Sequence, residues 1–588
     1  MSRRAATVDF EGLGRRLVFG SPRRALRADS VDEVAGVVRA AEDAARGGAW
    51  VVGVLAYEAA PAFDPCLAVR DGCRTPLAWF GVHDAPARAE RPTRLPAFPG
   101  RTDDPPDGWA ADQDRAAHGR SVAAIRAAIA AGDVYQINHT FRLRGSGGAQ
   151  PLALYETLLA RSPAPYAAYV RLPEHHVLSL SPELFFRRDG ARLVTRPMKG
   201  TAPRGRWPAE DEDRARSLAG SSKDRAENLM IVDLLRNDLG RVAEVGSVEV
   251  SRLFDVERYA TVHQMTSTVE ARARADADLL AVLSALFPCG SVTGAPKIAA
   301  MGGIAGLEDS PREAYCGAVG VLRPGGDCLF NVAIRTLLLD ASGAMTYGVG
   351  GGVTWSSTAA GEWEEAMAKA AILHEPTPAA ALIETLRLEG GRAVRWDAHR
   401  ARMLASAELL GHPVRPADLD GAVSEAAAAH GGRPAMLRVS VDPGGRIGVR
   451  TRPLDQPGWL VAAPAPRAIR SSDPRLYHKT DDRRGYEAAA AGLPRHVEPL
   501  LWNERGDATE FARGNLIVRL TGRLVTPPVD AGLLPGILRC ELVGAGEVEE
   551  GDVPLEAVAD AEEVWFVNSA RGWIPVRWNP GLAAGVGR

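Results

Sequence analysis

Apolar positions along this chain follow two rhythms, a three-to-four residue spacing and short near-continuous runs. After Val31-Asp32-Glu33, the residues Val34, Val37, Val38 and Ala41 form one stripe, which predicts a helix. Ala49-Trp50-Val51-Val52-Gly53-Val54-Leu55-Ala56-Tyr57 is short and apolar, which predicts a buried strand. Pro- and Asp-rich sequence from Pro96 to Asp114 predicts a loop. A helix is expected from Arg115 to Ala131, ended by Gly132 and leading into the run Asp133 to Asn138. Further on, Leu229, Met230, Val232 and Leu235 predict a buried helical stripe closed near Gly240, with Glu227 placed to face a cavity. The runs around Leu184-Phe185-Phe186 and Ala191 to Thr195, joined at Asp189-Gly190, predict a hairpin. Strand runs with intervening helices argue for a large α+β domain.

That hairpin is where chemistry first enters. Glu183 precedes one strand and Lys199 follows the other, in Arg196-Pro197-Met198-Lys199-Gly200-Thr201. A surface ion pair satisfies this spacing, and so does one pocket holding a carboxyl and an amine. A later acidic helix, Gly361 to Lys369, sets Glu362, Glu365 and Lys369 on one face. As a solvated face, its Glu365–Lys369 pair is worth roughly a few tenths of a kcal/mol. As a site, its carboxylates suit a hard cation such as magnesium, which takes one or two carboxylates plus substrate and water. Two glycine-bearing stretches, Phe287 to Lys297 and Tyr347 to Thr354, read as loops whose N–H groups can approach an anion. Neither carries a P-loop or dinucleotide fingerprint.

His374 to Ala380 reads as a linker, after which the pattern restarts. Leu382 to Arg387 predicts a strand, and Asp397 to Leu410 a helix ended by Gly411. The expected organisation is a domain over 1–373, a linker over 374–380 and a second domain over 381–588.

Totals then narrow the classes. A chain of 588 residues is long enough for several domains. A net charge of −3 gives no electrostatic case for nucleic acid or an anionic membrane. None of the six cysteines forms a C-x-x-C pair or has His at zinc spacing. So few cysteines in so long a chain suit a reducing cytoplasm. Met1 to Phe10 is not followed by the apolar core of a signal peptide, and no stretch is apolar enough to span a bilayer.

Motif order over the first ~370 residues resembles the chorismate-utilising enzymes. The matching segments are Ser181-Pro182-Glu183, Lys199-Gly200-Thr201, Lys223 to Asn228, Gly290 to Lys297, Asn331 to Thr336 and Glu362 to Glu365. The resemblance implies an αββα sandwich with a deep cleft for chorismate and Mg²⁺. Lys199, where anthranilate synthases typically carry Ala, resembles the aminodeoxychorismate synthase component I branch. By that analogy Lys199 adds to ring carbon 2 while Glu183, as general acid, helps the 4-hydroxyl leave. Ammonia then enters at carbon 4 and expels Lys199. Glu227, Glu362 and Glu365 would hold Mg²⁺. Arg335 and Tyr347, with Gly348, Gly350, Gly351 and Gly352, would bind a substrate carboxylate. His263, Thr293 and Lys369 occupy matching pocket positions. No cysteine has a glutaminase setting, so ammonia is expected from a separate glutamine amidotransferase subunit.

From Leu382 to about Pro580 the chain resembles the fold-type IV pyridoxal-phosphate (PLP) enzymes, a fold of two α/β subdomains. The segments are Glu384 to Arg387, His399 to Met403, His478-Lys479-Thr480 with Tyr486, Thr509-Glu510, Pro535 to Arg539 and Asn568 to Gly572. The resemblance makes Lys479 the residue that bonds to the cofactor and later moves the α-proton. It makes Glu510 the partner of the pyridine nitrogen and Arg402 a phosphate contact. Ile537 and Leu538, as backbone donors at a helix start, and Ser569 complete the phosphate set. A homodimer through this domain is implied as well. Free-standing members carry extra sequence before the segment at Glu384, so a trimmed small subdomain is expected here.

The combination implies a bifunctional enzyme of folate biosynthesis: chorismate and ammonia to 4-amino-4-deoxychorismate, then to 4-aminobenzoate and pyruvate. The rival pairing is an anthranilate synthase-like domain with a branched-chain or D-amino-acid transaminase. A regulatory or scaffold subunit with relic sites is the non-enzyme alternative.

Overall fold

The computed structural model describes all residues except 1–3, 15, 93, 95, 98–104, 149, 260–261, 375–378, 431 and 584–588. Residues 98–104 of the expected loop and 375–378 of the expected linker thus lie outside the described residues. The chain divides into two compact units, the second running from Thr377 and including the short segment Gly205–Glu212. Among the described residues no helix is long and apolar enough to cross a membrane.

The first unit is built on two ten-stranded sheets, counted over the described residues. Inward side chains of both meet in one apolar layer: Ala6, Val8 and Val170 come from one sheet, and Val52, Val319 and Leu329 from the other. Helices cover the outer faces. Val31–Arg46, Ser222–Gly240 and Leu279–Leu286 pack on one sheet, and Pro151–Arg161 and Ala359–Ala370 on the other. The order is helix, sheet, sheet, helix.

The helices start and stop where their ends are chemically satisfied. Ser30 and Glu33 form a capping box at the first helix. Asp114 accepts from the N–H of Ala117 to open Arg115–Ala131, and Gly132 closes it at φ +83°. In Ser222–Gly240 the buried stripe is Asn228, Ile231, Val232, Leu235, Asp238 and Leu239. Leu229 instead stands 43% exposed, which corrects the expected stripe by one position. Asn228, bonded to buried Ser267, takes the inward place that apolar counting gave to Leu229, and Asp238 also turns inward, to half-buried Lys297.

The sequence from Tyr347 to Thr354 is also not a loop. As far as Val353 it belongs to the strand Ala344–Val353, paired along its length with Gln136–Ser146. On its other side, Thr336–Asp340 pairs only as far as Tyr347. The glycines beyond Tyr347 therefore keep one edge free of a neighbouring strand among the described residues.

The second unit has two sheets. A four-stranded one carries the helices Trp396–Leu410 and Pro416–Ala429 on an apolar face of Leu386, Leu437 and Val439. An eight-stranded one contains parallel pairs, Leu460–Pro464 running alongside both Val497–Trp502 and Gly572–Trp578.

Candidate active sites

In the first unit, the places where the chain crosses from one sheet to the other carry the polar groups. The strand His175–Ser181 lies in one sheet and Leu184–Asp189 in the other, so Pro182 and Glu183 form the crossing. The Ser181 hydroxyl accepts from the Glu183 N–H, and the Glu183 carbonyl accepts from the Val332 N–H. Cys328–Val332 and Thr336–Asp340 make a second crossing, where Arg335 takes the left-handed conformation at φ +48°. A left-handed arginine is strained unless its surroundings fix it.

Lys199 comes from an edge strand, Met198–Pro203, whose pairing with Val262–Arg272 slips between Met198 and Thr201. Gly200 sits in that irregularity at φ +92°, and a Cβ there would meet the Asp224 side chain at 2.9 Å. Asn228 Nδ2 donates to the Lys199 carbonyl and Gln264 Nε2 to that of Gly200.

These elements enclose a cavity of about 350 Å³. Lys199, Glu183, Glu227, Glu362, Glu365, Lys369, Arg335, Tyr347, Gly348, Gly350 and Gly352 all line it. Gly351 is set behind this lining, beside the heads of Glu362, Glu365 and Lys369. His263 and Thr293 are buried but outside it; the Thr293 hydroxyl donates to the carbonyls of Cys289 and Gly290, within its own turn.

Burial pushes the Glu183 carboxyl up to about 7, against the stabilising hydrogen bond that Ser291 Oγ donates at 2.7 Å and the charge of Lys199. Burial also raises Glu227 and Glu362, and the Glu365 charge adds to both. Glu365 is held down chiefly by Lys369, whose ammonium lies 2.7 Å from it and 2.7 Å from the Gly350 carbonyl. Three carboxylates thus face one space in mutual repulsion. Among the described residues no three His, Cys, Asp or Glu gather closely enough to hold an ion unaided. All-oxygen donors that leave several coordination places open fit a magnesium ion completed by substrate and water.

A second cavity, of about 480 Å³, lies in the second unit. Lys479, Glu510, Arg402, Ile537 and Ser569 line it, and Leu538 does not. Burial lowers the Lys479 ammonium to about 8, helped by the Arg402 charge. Burial raises Glu510 to about 7, against a hydrogen bond donated by the Tyr486 hydroxyl at 2.9 Å. Arg402 is spoken for: its guanidinium holds both oxygens of Glu384, at 2.8 and 2.6 Å, and the Pro535 carbonyl at 2.7 Å. A buried acid, a lysine with a lowered pKa and a helix start at Ile537 in one wall fit an aromatic aldehyde bearing a phosphate.

Several lining groups escaped the sequence reading. Ser291 lies inside a quoted motif, but its contact with Glu183 spans 108 positions. Behind the lining, Gln136 is wholly buried with both amide atoms unpartnered, and its nitrogen lies 2.6 Å from where a Cβ on Gly352 would stand. Asn515 donates to Glu510 and to the Leu534 carbonyl. His399 sits between Glu384 and Ser569.

Residues 381–578 match the model of the class IV amino-transferases. An aminodeoxychorismate synthase from Streptomyces griseus is 49% identical over 246 residues, 42% of this chain and 34% of that protein. An aminodeoxychorismate synthase component 1 from Klebsiella aerogenes is 41% identical over 300 residues, 51% of this chain and 64% of that protein. The chain therefore spans less than two thirds of either relative. The first unit shares its fold with a structure described as a 2,3-dihydroxybenzoate-specific isochorismate synthase from Bacillus anthracis, with a TM-score of 0.52 and 22% identity over 63% of this chain and 96% of that one. The model of the chorismate binding enzymes matches residues 7–375, the greater part of the sequence, and the chain belongs to that family.

Proposed function

We infer that the first unit converts chorismate and ammonia to 4-amino-4-deoxychorismate, and that the second eliminates pyruvate from this product to leave 4-aminobenzoate. The observation that carries the reading is the meeting of Lys199 and Glu183 in one cavity, beside three carboxylates. Lys199 supplies the nucleophile for ring carbon 2. Glu183, whose carboxyl burial raises to about 7, keeps a protonated fraction near neutral pH and gives that proton to the departing 4-hydroxyl. Arg335, beside Tyr347 and a main-chain floor, suits a substrate carboxylate. Glu227, Glu362 and Glu365 would hold Mg²⁺, which neutralises the other carboxylate.

In the second cavity, PLP supplies an electron sink for the elimination. Lys479 would hold and move the α-proton, and Glu510 would bind the ring nitrogen. Ser569 and the N–H of Ile537, in the same lining, would take the phosphate. Arg402 reaches that group only with N–H directions left over from Glu384 and Pro535. The wider reading adds a separate amidotransferase subunit as ammonia source, a homodimer through the second unit, a cytoplasmic setting and a role in folate biosynthesis.

The test is a product assay on the purified chain with chorismate, ammonium, Mg²⁺ and PLP. Formation of 4-aminobenzoate and pyruvate is the expected result. Anthranilate as product would overturn the reading of Lys199, and a requirement for a 2-oxo acid would overturn that of the second unit. Turnover of glutamine by the chain alone would remove the separate amidotransferase.

A further inference from the structure

Glu384, His399 and Ser569 form a buried line in the wall of the second cavity. Their side chains are 1%, 1% and 8% exposed. His399 Nδ1 lies 2.7 Å from Glu384 Oε2, and His399 Nε2 lies 2.7 Å from Ser569 Oγ. The charged groups around the line are Arg402 on the same helix, doubly bonded to Glu384, and Lys479, whose ammonium feels both. Burial would raise Glu384, but Arg402 and His399 together hold it down at about 2, so it is a carboxylate at any working pH.

The rest is valence. A carboxylate only accepts, so the proton of the Glu384–His399 bond sits on Nδ1. A neutral His399 then has a bare Nε2, which takes the Ser569 hydroxyl as donor. In that state Ser569 turns only lone pairs toward the cavity and repels an anion. Ser569 can donate to a phosphate oxygen without orphaning the buried Nε2 only if Nε2 carries a proton of its own and donates to Ser569 Oγ.

We propose that His399 is a positioning residue that couples occupation of the second cavity by a phosphate dianion to uptake of one proton. The proton comes from solvent and stays on Nε2; the Ser569 O–H turns from the imidazole to the phosphate, and no covalent bond is made or broken. The line Arg402–Glu384–His399 passes from neutral to a single positive charge as the dianion arrives. This rests on the cofactor reading above and adds to it the protonation state in which the site works.

The probe is pyridoxine 5′-phosphate, an alcohol that cannot bond to Lys479. Its binding is measured calorimetrically at pH 8 in two buffers of different ionisation enthalpy, where a phosphate ester with its second pKa near 6 is a dianion. The wild-type chain is expected to take up about one proton more per molecule bound than Ser569→Ala or His399→Gln. Using the difference cancels any proton taken at the ring nitrogen beside Glu510. Wild-type affinity should fall by about tenfold per pH unit on the alkaline side, and the Ser569→Ala profile should be flatter. Equal uptake in wild type and Ser569→Ala, which keeps the imidazole and its carboxylate, overturns the relay alone. Failure of the wild-type chain to bind either this compound or PLP overturns the cofactor reading and the relay with it.

Discussion

Each unit offers a lysine and a buried glutamic acid in one cavity, yet the two pairs are built for opposite work. In the first, Glu183 stands at about 7 with Ser291 as its hydrogen-bond donor, and Lys199 shares its space with Glu227, Glu362 and Glu365. Charge there is abundant and only partly paired, Lys369 holding Glu365, as suits a polyanionic substrate and a cation. In the second, Glu510 also stands at about 7, but Tyr486 and Asn515 hold it and Arg402 is neutralised by Glu384. Charge there is paired off in advance, and Lys479 is brought down to about 8 by burial first and charge second. On the proposed reading, the same two residue types would serve as an acid with a nucleophile in one setting and as a cofactor anchor with a proton carrier in the other.

The largest effects should come from removing each lysine. Lys199→Ala is expected to cut 4-amino-4-deoxychorismate formation on the order of a thousandfold or more, with elimination from supplied intermediate untouched. Lys479→Ala should do the reverse, measured as accumulation of the intermediate without 4-aminobenzoate. If either variant slowed both steps equally, the division of labour would be wrong.

Next comes the acid. Glu183→Gln should lower the first step by about a hundredfold to ten-thousandfold. With Glu183 raised to about 7 in the free site, its protonated form is lost as pH climbs through that value, so the wild-type kcat/KM should fall on the alkaline side. Glu183→Gln should lack that limb; a limb that persists would assign it to another group.

A smaller change tests placement alone. A Cβ on Gly352 would stand 2.2 Å from Lys199 Nζ. Gly352→Ala should therefore displace the amine and slow the first step by about tenfold to a hundredfold with the fold retained. Wild-type rates would mean that the position of Lys199 is less constrained than its contacts imply.

The smallest expected effect is on stability. The Lys479 pKa is lowered from 10.5 to about 8, so the folded state resists its proton. That costs stability in full below about 8, and the cost fades as pH rises toward 10.5. Lys479→Met should raise the Tm of the cofactor-free second unit by roughly 2–4 °C at pH 7. The gain should vanish near pH 10.5, and a gain independent of pH would point to packing instead.

Much of this was legible in the sequence because it is local. The helix over Arg115–Ala131 announces itself by Asp114 and Gly132, and Trp396–Leu410 by Gly411. What failed was non-local. Leu229 was expected inward because apolar periodicity cannot see that Asn228 finds Ser267 and the Lys199 carbonyl across the fold. Tyr347 to Thr354 read as a loop because glycine carries no period, and only pairing with Gln136–Ser146 makes it a strand. Motif position put His263 and Thr293 near the cavity, but each side chain is buried beside the lining residues, not among them.

That glycine strand has one more consequence. A Cβ on Gly348, Gly350 or Gly352 would lie 2.2 Å from Tyr315, the His139 carbonyl or Lys199, respectively. The cavity floor is thus peptide backbone, and its hydrogen-bonding groups are the same whatever the codon. Any side chain there, apolar or charged, must first force its Cβ into space that is already occupied. Descendants of this sequence are therefore expected to explore new substrates through the walls, while crowding holds the floor to glycine.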